Sequence, residues 1–548
     1  MVPRTIFRVE GEMAHVARQA EGEHKDVSSA LVERMMSVTD ALQLARTFLK
    51  KKNYVEAARV AQQVADHKRG HPDAFHILAM TAYRTGRIDK AIVHAERAVG
   101  RAPKTAAFWS NLSEMLRRRG LLTRALTAAK QAVALDAAQA LGWSNLAAIE
   151  YERRDFDDAE KSVRNALKLD IGNARSWNLL GNALARQHRD DEAHAAYAEA
   201  LRLLPHYADA MVNDALCWRD AGAFDEALKR LNEALLIQPQ HVNAHVVRSI
   251  VYFLKGDVAR GRVEYEWRLM MPDALPPKVP GRRWRGEEIA DKRVLLLAEQ
   301  GLGDVIQACR HIAGLRARGV RALTLHVPRA LRVLLADNFP DVEVVTSLSD
   351  IGGVDFHCGM MSLPLLLEGP TPPEAMPQAA YLAVSEERVE IWRQKFSCLK
   401  GRKIGLVWAG NATYQSDYMR SMKAEHLRPL LDLPDCHFFS LQVGPATAGM
   451  VALKPKVEDL SAQVSNMTDA AAAIAALDLV ISVDTSLAHL GGALGTEVWT
   501  MLPHVPDWRW GMSGYKHPLY GTVRLFRQKV RGDWAGVVSD IRAALAGA

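Results

Sequence analysis

The chain has 548 residues, 49% hydrophobic and 24% charged, the composition of a globular protein and not of a disordered or collagen-like one. Its net charge of +7 is modest for this length, suiting an anionic substrate, a membrane surface or an ordinary solvated surface, and no nucleic-acid partner is expected. No apolar run reaches the roughly 20 residues of a membrane helix, no apolar core at the N-terminus reads as a secretory signal, and the five cysteines form no CxxC pair. The expectation is a cytoplasmic protein with no membrane span, no disulfide framework and no structural zinc.

Residues 1–37 are polar and read as an arm or N-terminal cap. From residue 38 a period of 34 sets in: Trp109, Trp143 and Trp177 stand one period apart, as do Ala91, Ala125, Ala159, Ala193 and Ala227. Ala98, Ala132, Ala166, Ala200 and Ala234 form another column, and Gly86, Gly120, Gly222 and Gly256 a third, with Arg154 and His188 filling its gaps. A large residue early, small residues at two later columns and a turn between them form the tetratricopeptide (TPR) pattern of paired antiparallel helices. Units begin at 38, 72, 106, 140, 174, 208 and 242, and the repeat domain spans 38–271. Such stacks bind protein segments in a concave groove. Asn111, Asn145 and Asn213 recur at the sixth position of three units, where amides could grip an extended acceptor backbone or bond neighbouring turns within the solenoid.

The proline-rich stretch 271–284 marks the boundary, with a linker over 272–292, and the two halves are expected to be separable there. Short apolar runs then alternate with helical stretches: 293–298, 322–327 and 342–345, then, after a proline-rich patch and a charged helix over 385–395, 403–408, 437–442, 478–483 and 498–502. A closing helix covers 533–545. This alternation predicts parallel sheets covered by helices on both faces. The fold class expected is an all-α TPR solenoid followed by an α/β half of two Rossmann-like domains, 293–384 and 385–548.

Four segments carry chemistry. Glu299-Gln300-Gly301-Leu302-Gly303-Asp304 follows a strand and opens a helix; Asp304 could cap that helix or act as a general base. Asp484-Thr485-Ser486-Leu487, with His489 one turn on, ends a buried strand and offers first-turn N–H groups and hydroxyls to a phosphate, or is an ordinary strand, cap and helix. Trp408-Ala409-Gly410-Asn411 leads to Arg420, a ligand for a phosphate or carboxylate or an exposed loop arginine. Pro503 to Trp510 holds aromatics and an arginine that could stack a nucleobase or pack on the closing helix. No DxD pair suited to a metal-bound nucleotide sugar occurs in the second half, so no metal is expected.

Together these segments make residues 292–547 resemble the heptosyltransferase-type GT-B glycosyltransferases, chiefly through GxGD at 301–304 and the DTSxAHLxGALG-like run from Asp484. The resemblance implies that Asp304 is the catalytic base and that Gly301, Gly303, Asn411, Arg420, Asp484, Thr485, Ser486, Leu487 and His489 bind the donor. Gln442 is the nearest candidate for a ribose contact. The pairing of TPR repeats with such a half also resembles the bacterial flagellin glycosyltransferases. That likeness implies transfer of a nonulosonic acid such as pseudaminic acid from a CMP-linked donor, favoured over ADP-heptose, to Ser or Thr of flagellin held by the TPR domain, with no further cofactor. The alternatives are an ADP-heptose-dependent lipopolysaccharide transferase and a non-catalytic TPR scaffold or secretion chaperone.

Overall fold

The computed structural model describes residues 37–66, 70–272, 274–276, 278–349, 351–369, 379–414 and 416–547. All but the last residue of the expected N-terminal arm, and the latter part of the proline-rich patch 364–377, lie outside these residues. The chain forms two compact units, one ending at Asp214 and the other beginning at Ala215.

The first unit is built of helix pairs, and helices start at Val38, Pro72, Ala106, Ala140 and Ala174, in the register the sequence predicts. The alanine column explains why the two helices of a pair can approach closely: Ala91, Ala125, Ala159 and Ala193 are fully buried, each accessible to 0%. The turn column explains how the chain reverses. Gly86 and Gly120 have positive φ, and so do Lys52, Arg154 and His188 at the same column, so the turn imposes a left-handed residue whether or not glycine supplies it. The tryptophan column ties each pair to the loop before it. The indole N–H groups of Trp109, Trp143 and Trp177 donate to the carbonyls of Pro103, Ala137 and Ile171 at 2.8, 2.9 and 2.9 Å.

The second unit continues the repeat pattern through helices Phe224–Ile237, Val242–Leu254 and Val258–Tyr265. His245 occupies the tryptophan column and makes the same bond, its Nε2 lying 2.9 Å from the Pro239 carbonyl. At Gly261, where the pattern asks for alanine, an added Cβ would stand 2.6 Å from the Phe253 ring, so the large aromatic has taken the small residue's space.

Two parallel sheets complete this unit. The first contains β1 (Arg282–Arg283), β2 (Arg293–Leu297), β3 (Ala322–His326), β4 (Glu343–Val345) and β5 (Phe356–Gly359), in the order β1-β5-β2-β3-β4. The second contains β6 (Arg402–Val407), β7 (Cys436–Ser440), β8 (Val457–Asp459), β9 (Leu479–Val483), β10 (Val498–Leu502) and β11 (Val523–Arg527), in the order β11-β10-β9-β6-β7-β8. Read from β8, the latter is the 3-2-1-4-5-6 order of a Rossmann sheet. The central strands are apolar throughout, with every residue of β9 and β10 buried, as strands covered on both faces require. The architecture is therefore the expected one: TPR helices followed by an α/β half of two Rossmann-like sheets.

The domain boundary is not where the prolines suggest. Residues 282–284 are annealed to the first sheet: Arg282 pairs with Phe356 and Arg283 with His357, the Trp284 N–H donates to the His357 carbonyl at 2.8 Å, and Trp284 is 1% exposed. Ahead of them, Arg268 is buried against Glu299, and Arg262 pairs with Glu368 at 2.7 Å. The stretch expected as a separable linker over 272–292 is thus flanked by and contains residues locked onto the sheets. The last repeats belong to the same compact unit as those sheets.

Candidate functional site

In an open parallel sheet the ligand crevice lies beyond the carboxyl ends of the strands, where the order of connection reverses. In the first sheet that point lies between β2 and β5, and in the second between β6 and β9. The residues following β2 are Glu299 to Asp304; those following β6 and β9 are Trp408 to Asn411 and Asp484 to Ser486. Topology therefore places three of the four singled-out segments at switch points.

The two sheets meet through helices Leu302–Ala308 and Ser486–Leu494. They come so close that a Cβ on Gly303 would stand 2.7 Å from the His489 ring and 3.4 Å from the Ser486 Cα. Glycine at 303 is thus required by packing. Asp304 serves two partners: Oδ2 accepts the Gly301 N–H at 2.8 Å, which caps the helix, and Oδ1 lies 2.8 Å from Arg509 Nη2. Burial raises its pKa above the ordinary carboxylate value, Arg509 opposes that rise, and the nearby Asp507 adds to it. Arg509 also reaches Asp507 Oδ1 and Gln300 Oε1, each at 2.9 Å, and lies 4.3 Å over the Trp508 ring.

Asp484 is the second acid. Burial and the charge of Asp507 push its pKa up to about 6, against the pull of Arg420. Arg420 Nη1 lies 3.6 Å away and His489 Nε2 lies 3.9 Å away. His489 is 4% exposed, its Nδ1 is 3.1 Å from the Tyr520 hydroxyl, its ring faces Trp510 at 4.7 Å, and burial holds its pKa well below the usual imidazole value. Its enclosure thus disfavours the charged form. Thr485 does not cap the helix it precedes; its Oγ1 pairs with Ser482 Oγ at 2.9 Å. The first N–H groups of helix Ser486–Leu494, which follows the carboxyl end of β9, therefore lack the usual side-chain cap from Thr485. Ser486 is half-buried and Leu487 is buried.

Arg420 is held by Asp417 at 3.2 Å and stacks over Tyr414 at 4.7 Å, and Gly410 lets both its guanidinium and Asp417 close in, since a Cβ there would meet them at 2.8 and 2.6 Å. Asn411 is exposed and its Oδ1 accepts from the Thr413 N–H and hydroxyl. Gln442 has a different use. Its Oε1 accepts the N–H groups of Trp408 and Ala409, and its Nε2 donates to the carbonyls of Ala409 and Val443. With its amide committed to backbone, and only 3% exposed, it fastens the end of β6 to that of β7.

Asn111, Asn145 and Asn213 are remote from this cluster in sequence and half-buried in the helix pairs. Their Nδ2 groups reach back one repeat, to His76 Nε2 at 2.8 Å, to the Ser110 carbonyl at 3.1 Å and to Asn178 Oδ1 at 3.0 Å. Of the two uses the sequence leaves open, the geometry displays the one inside the solenoid. Replacing all three by alanine is expected to lower the urea midpoint, with about 0.5–1.5 kcal/mol lost per bond; an unchanged midpoint would release these amides for a ligand.

A pH-dependent prediction follows from Asp484. A carboxyl whose folded pKa lies near 6, above the ordinary 3.8, is disfavoured by folding once it ionises. Stability is therefore lost as pH rises through that window. Asp484→Asn should unfold about 1–3 kcal/mol harder than the parent at pH 8, and the gain should vanish at pH 4. Denaturant titrations at both values measure it.

The residues that sequence reasoning missed are Asp507, Tyr265 and Arg268, together with the partner that Arg509 takes. Arg509 lies within the aromatic segment 503–510, but nothing local to that segment pairs it with an aspartate at 304.

Comparison with known proteins agrees with the repeat architecture. The tetratricopeptide repeat family matches residues 78–140, 145–208 and 191–242, so this stretch carries TPR repeats. Protein FlbA of Caulobacter vibrioides (strain ATCC 19089 / CIP 103742 / CB 15) is 30% identical over 385 residues, 64% of this chain and 63% of that protein. The chain thus spans less than two thirds of that relative's length. Among solved structures, similar chains include one from the APC/C hetero-tetramer Cut9-Hcn1 (16% identity, 42% of this chain and 49% of that one, TM-score 0.36). Another is a tetratricopeptide repeat protein from Parabacteroides merdae (12% identity, 43% and 94%, TM-score 0.38). Among the described residues no helix is long and apolar enough to cross a membrane.

Proposed function

We propose that this chain is a cytoplasmic, metal-independent protein O-glycosyltransferase, with flagellin as acceptor and a CMP-linked nonulosonic acid as donor. One observation carries the reading. The switch-point loops of both parallel sheets converge on one cluster in which two acids, the half-buried Asp304 and the buried Asp484, each face an arginine, Arg509 at 2.8 Å and Arg420 at 3.6 Å. Ionised carboxylates at half-buried positions can accept a proton, and arginines beside helix N-termini can neutralise a departing phosphate without a metal. The TPR repeats favour a protein over a lipid acceptor, since such repeats typically bind polypeptides.

In the proposed reaction the Ser or Thr hydroxyl of the acceptor gives its proton to Asp304. Its oxygen forms a bond to the anomeric carbon as the bond from that carbon to the phosphate oxygen breaks. The nucleotide leaves with the electron pair, its charge met by Arg420 and the N–H groups of helix Ser486–Leu494. Asp484, held by Arg420 and beside His489, keeps this arginine aimed.

Intact-mass spectrometry of flagellin from cells with and without the protein tests the reading. A sugar increment that disappears on deletion supports it. Unchanged flagellin beside altered lipopolysaccharide would transfer the assignment to a glycolipid acceptor, and no change in either would leave a scaffold.

A further inference from the structure

The last TPR pair does more than end the solenoid. Tyr265, the final residue of helix Val258–Tyr265, receives through its hydroxyl a hydrogen bond from Gln300 Nε2 at 2.6 Å. The other end of the same amide, Gln300 Oε1, accepts from Arg509 Nη2 at 2.9 Å, and this Nη2 lies 2.8 Å from Asp304 Oδ1. Gln300 sits at φ +61, a conformation that side-chain-bearing residues rarely adopt, and it is there that its amide bridges the two partners. A second contact fixes the far side of the arginine. Trp508, on which Arg509 lies, stacks on Phe253 of the preceding helix at 4.1 Å and 17°, and meets the edge of Tyr265 at 5.7 Å.

We propose that Tyr265 is a positioning residue for Asp304, acting through Gln300 and Arg509, so that the carboxylate's proton affinity depends on where the last repeat holds its final helix. The inference rests on the glycosyltransferase reading only where it concerns catalysis; the coupling of Tyr265 to Asp304 stands on the hydrogen bonds alone. A glutamine amide has a donor end and an acceptor end, and here each has a single chemically fitting partner: a hydroxyl oxygen and a guanidinium. With the tyrosine hydroxyl removed, the amide can rotate, and Arg509 loses one of the acceptors that aim it at Asp304. The charged groups around Asp304 are Arg509 and Asp507 from the 507–510 segment and Arg420 from helix Asp417–Arg420, with the Gly301 N–H on its own loop. The Tyr520 hydroxyl also feels its charge. Of the charged groups, Arg509 is the one in direct contact with the carboxylate, at 2.8 Å, so its displacement outweighs changes in the others. A cation moved away from a carboxylate makes it a weaker acid.

The test is a pH titration of the Asp304 carboxyl by infrared difference spectroscopy on the full-length chain, the Asp304→Asn spectrum being subtracted to isolate its band. In Tyr265→Phe the midpoint should move up by about half to one pH unit, with thermal melting near that of the parent. Gln300→Asn, which breaks the bridge from the other side, should move it the same way and serves if the tyrosine variant folds poorly. An unmoved midpoint in a folded variant overturns the inference. Single-turnover rates for transfer from a CMP-linked nonulosonic acid to flagellin then separate the two ideas. If Asp304 is the base, the acid limb of the rate profile moves up with the infrared midpoint. A moved midpoint with an unmoved rate limb keeps the coupling and removes Asp304 from catalysis.

Discussion

Asp304→Asn is expected to cut the single-turnover rate of the proposed sugar transfer by about 10²–10⁴-fold while leaving donor affinity and melting temperature close to those of the parent. An amide keeps an oxygen for the Gly301 N–H, which Asp304 Oδ2 accepts at 2.8 Å, so the cap survives. Arg509 keeps Asp507 and Gln300 as acceptors at 2.9 Å and is not stranded. What is lost is the ability to take a proton. A base contributes more in the transition state than in the ground state, so the deficit should fall on the rate and spare the binding of donor. Asp304→Ala adds the loss of the cap, about 0.5–2 kcal/mol. Comparing the two variants by single-turnover kinetics, calorimetric donor titration and melting separates chemistry from capping. An asparagine variant that turns over like the parent would leave Asp304 a capping residue and empty the proposed mechanism of its base.

What could be read from the sequence was what depends on local spacing. The helix pairs begin where the 34-residue period puts them because a repeat needs only its columns, and each column is filled by a residue type with one steric job. The long apolar strands were legible for the same reason: Leu479–Val483 and Val498–Leu502 are wholly buried and carry no polar interruption beyond Ser482 and Thr500. The strand Phe356–Gly359 was not, because four residues containing histidine, cysteine and glycine give no periodicity, although it lies between two others in the first sheet. Arg282–Arg283 hid behind prolines and two charges and is a strand only because Phe356 and His357 offer it an edge. At the site, sequence placed the loops at strand ends but not their partners. Arg509 and Asp304 are brought together by two sheets meeting, and pairing at that separation leaves no local trace.

Arg268→Ala is expected to destabilise the second unit by about 3–5 kcal/mol, the cost of stranding one member of a buried ion pair. Arg268 is 4% exposed and Glu299 5%. Its Nε and Nη2 grip the two carboxylate oxygens at 2.8 and 3.0 Å, Nη2 also donates to Ser362 Oγ at 2.8 Å, and Nη1 reaches Glu266 at 2.7 Å and the Tyr265 carbonyl at 3.1 Å. Glu299 cannot escape to water, because its Oε1 also accepts the Met361 N–H and its carboxyl fills the space a side chain would need at residue 359, which is glycine. The pair sits at the switch point of the first sheet, so its loss should loosen Gln300 and Asp304 along with the fold. Replacing both partners, Arg268→Met with Glu299→Gln, should recover much of the stability, since a buried pair is costly to break and much less costly to omit. Urea unfolding of the parent, the two single variants and the double variant measures the coupling. The same physics argues against cutting the chain at 271: a fragment starting there lacks Arg268 and also the Phe253 and Tyr265 rings that hold Trp508, and should unfold well below the parent. A fragment of 272–548 that melts with the intact protein would show the ion pair to be dispensable and the proline-rich stretch to be a true linker after all.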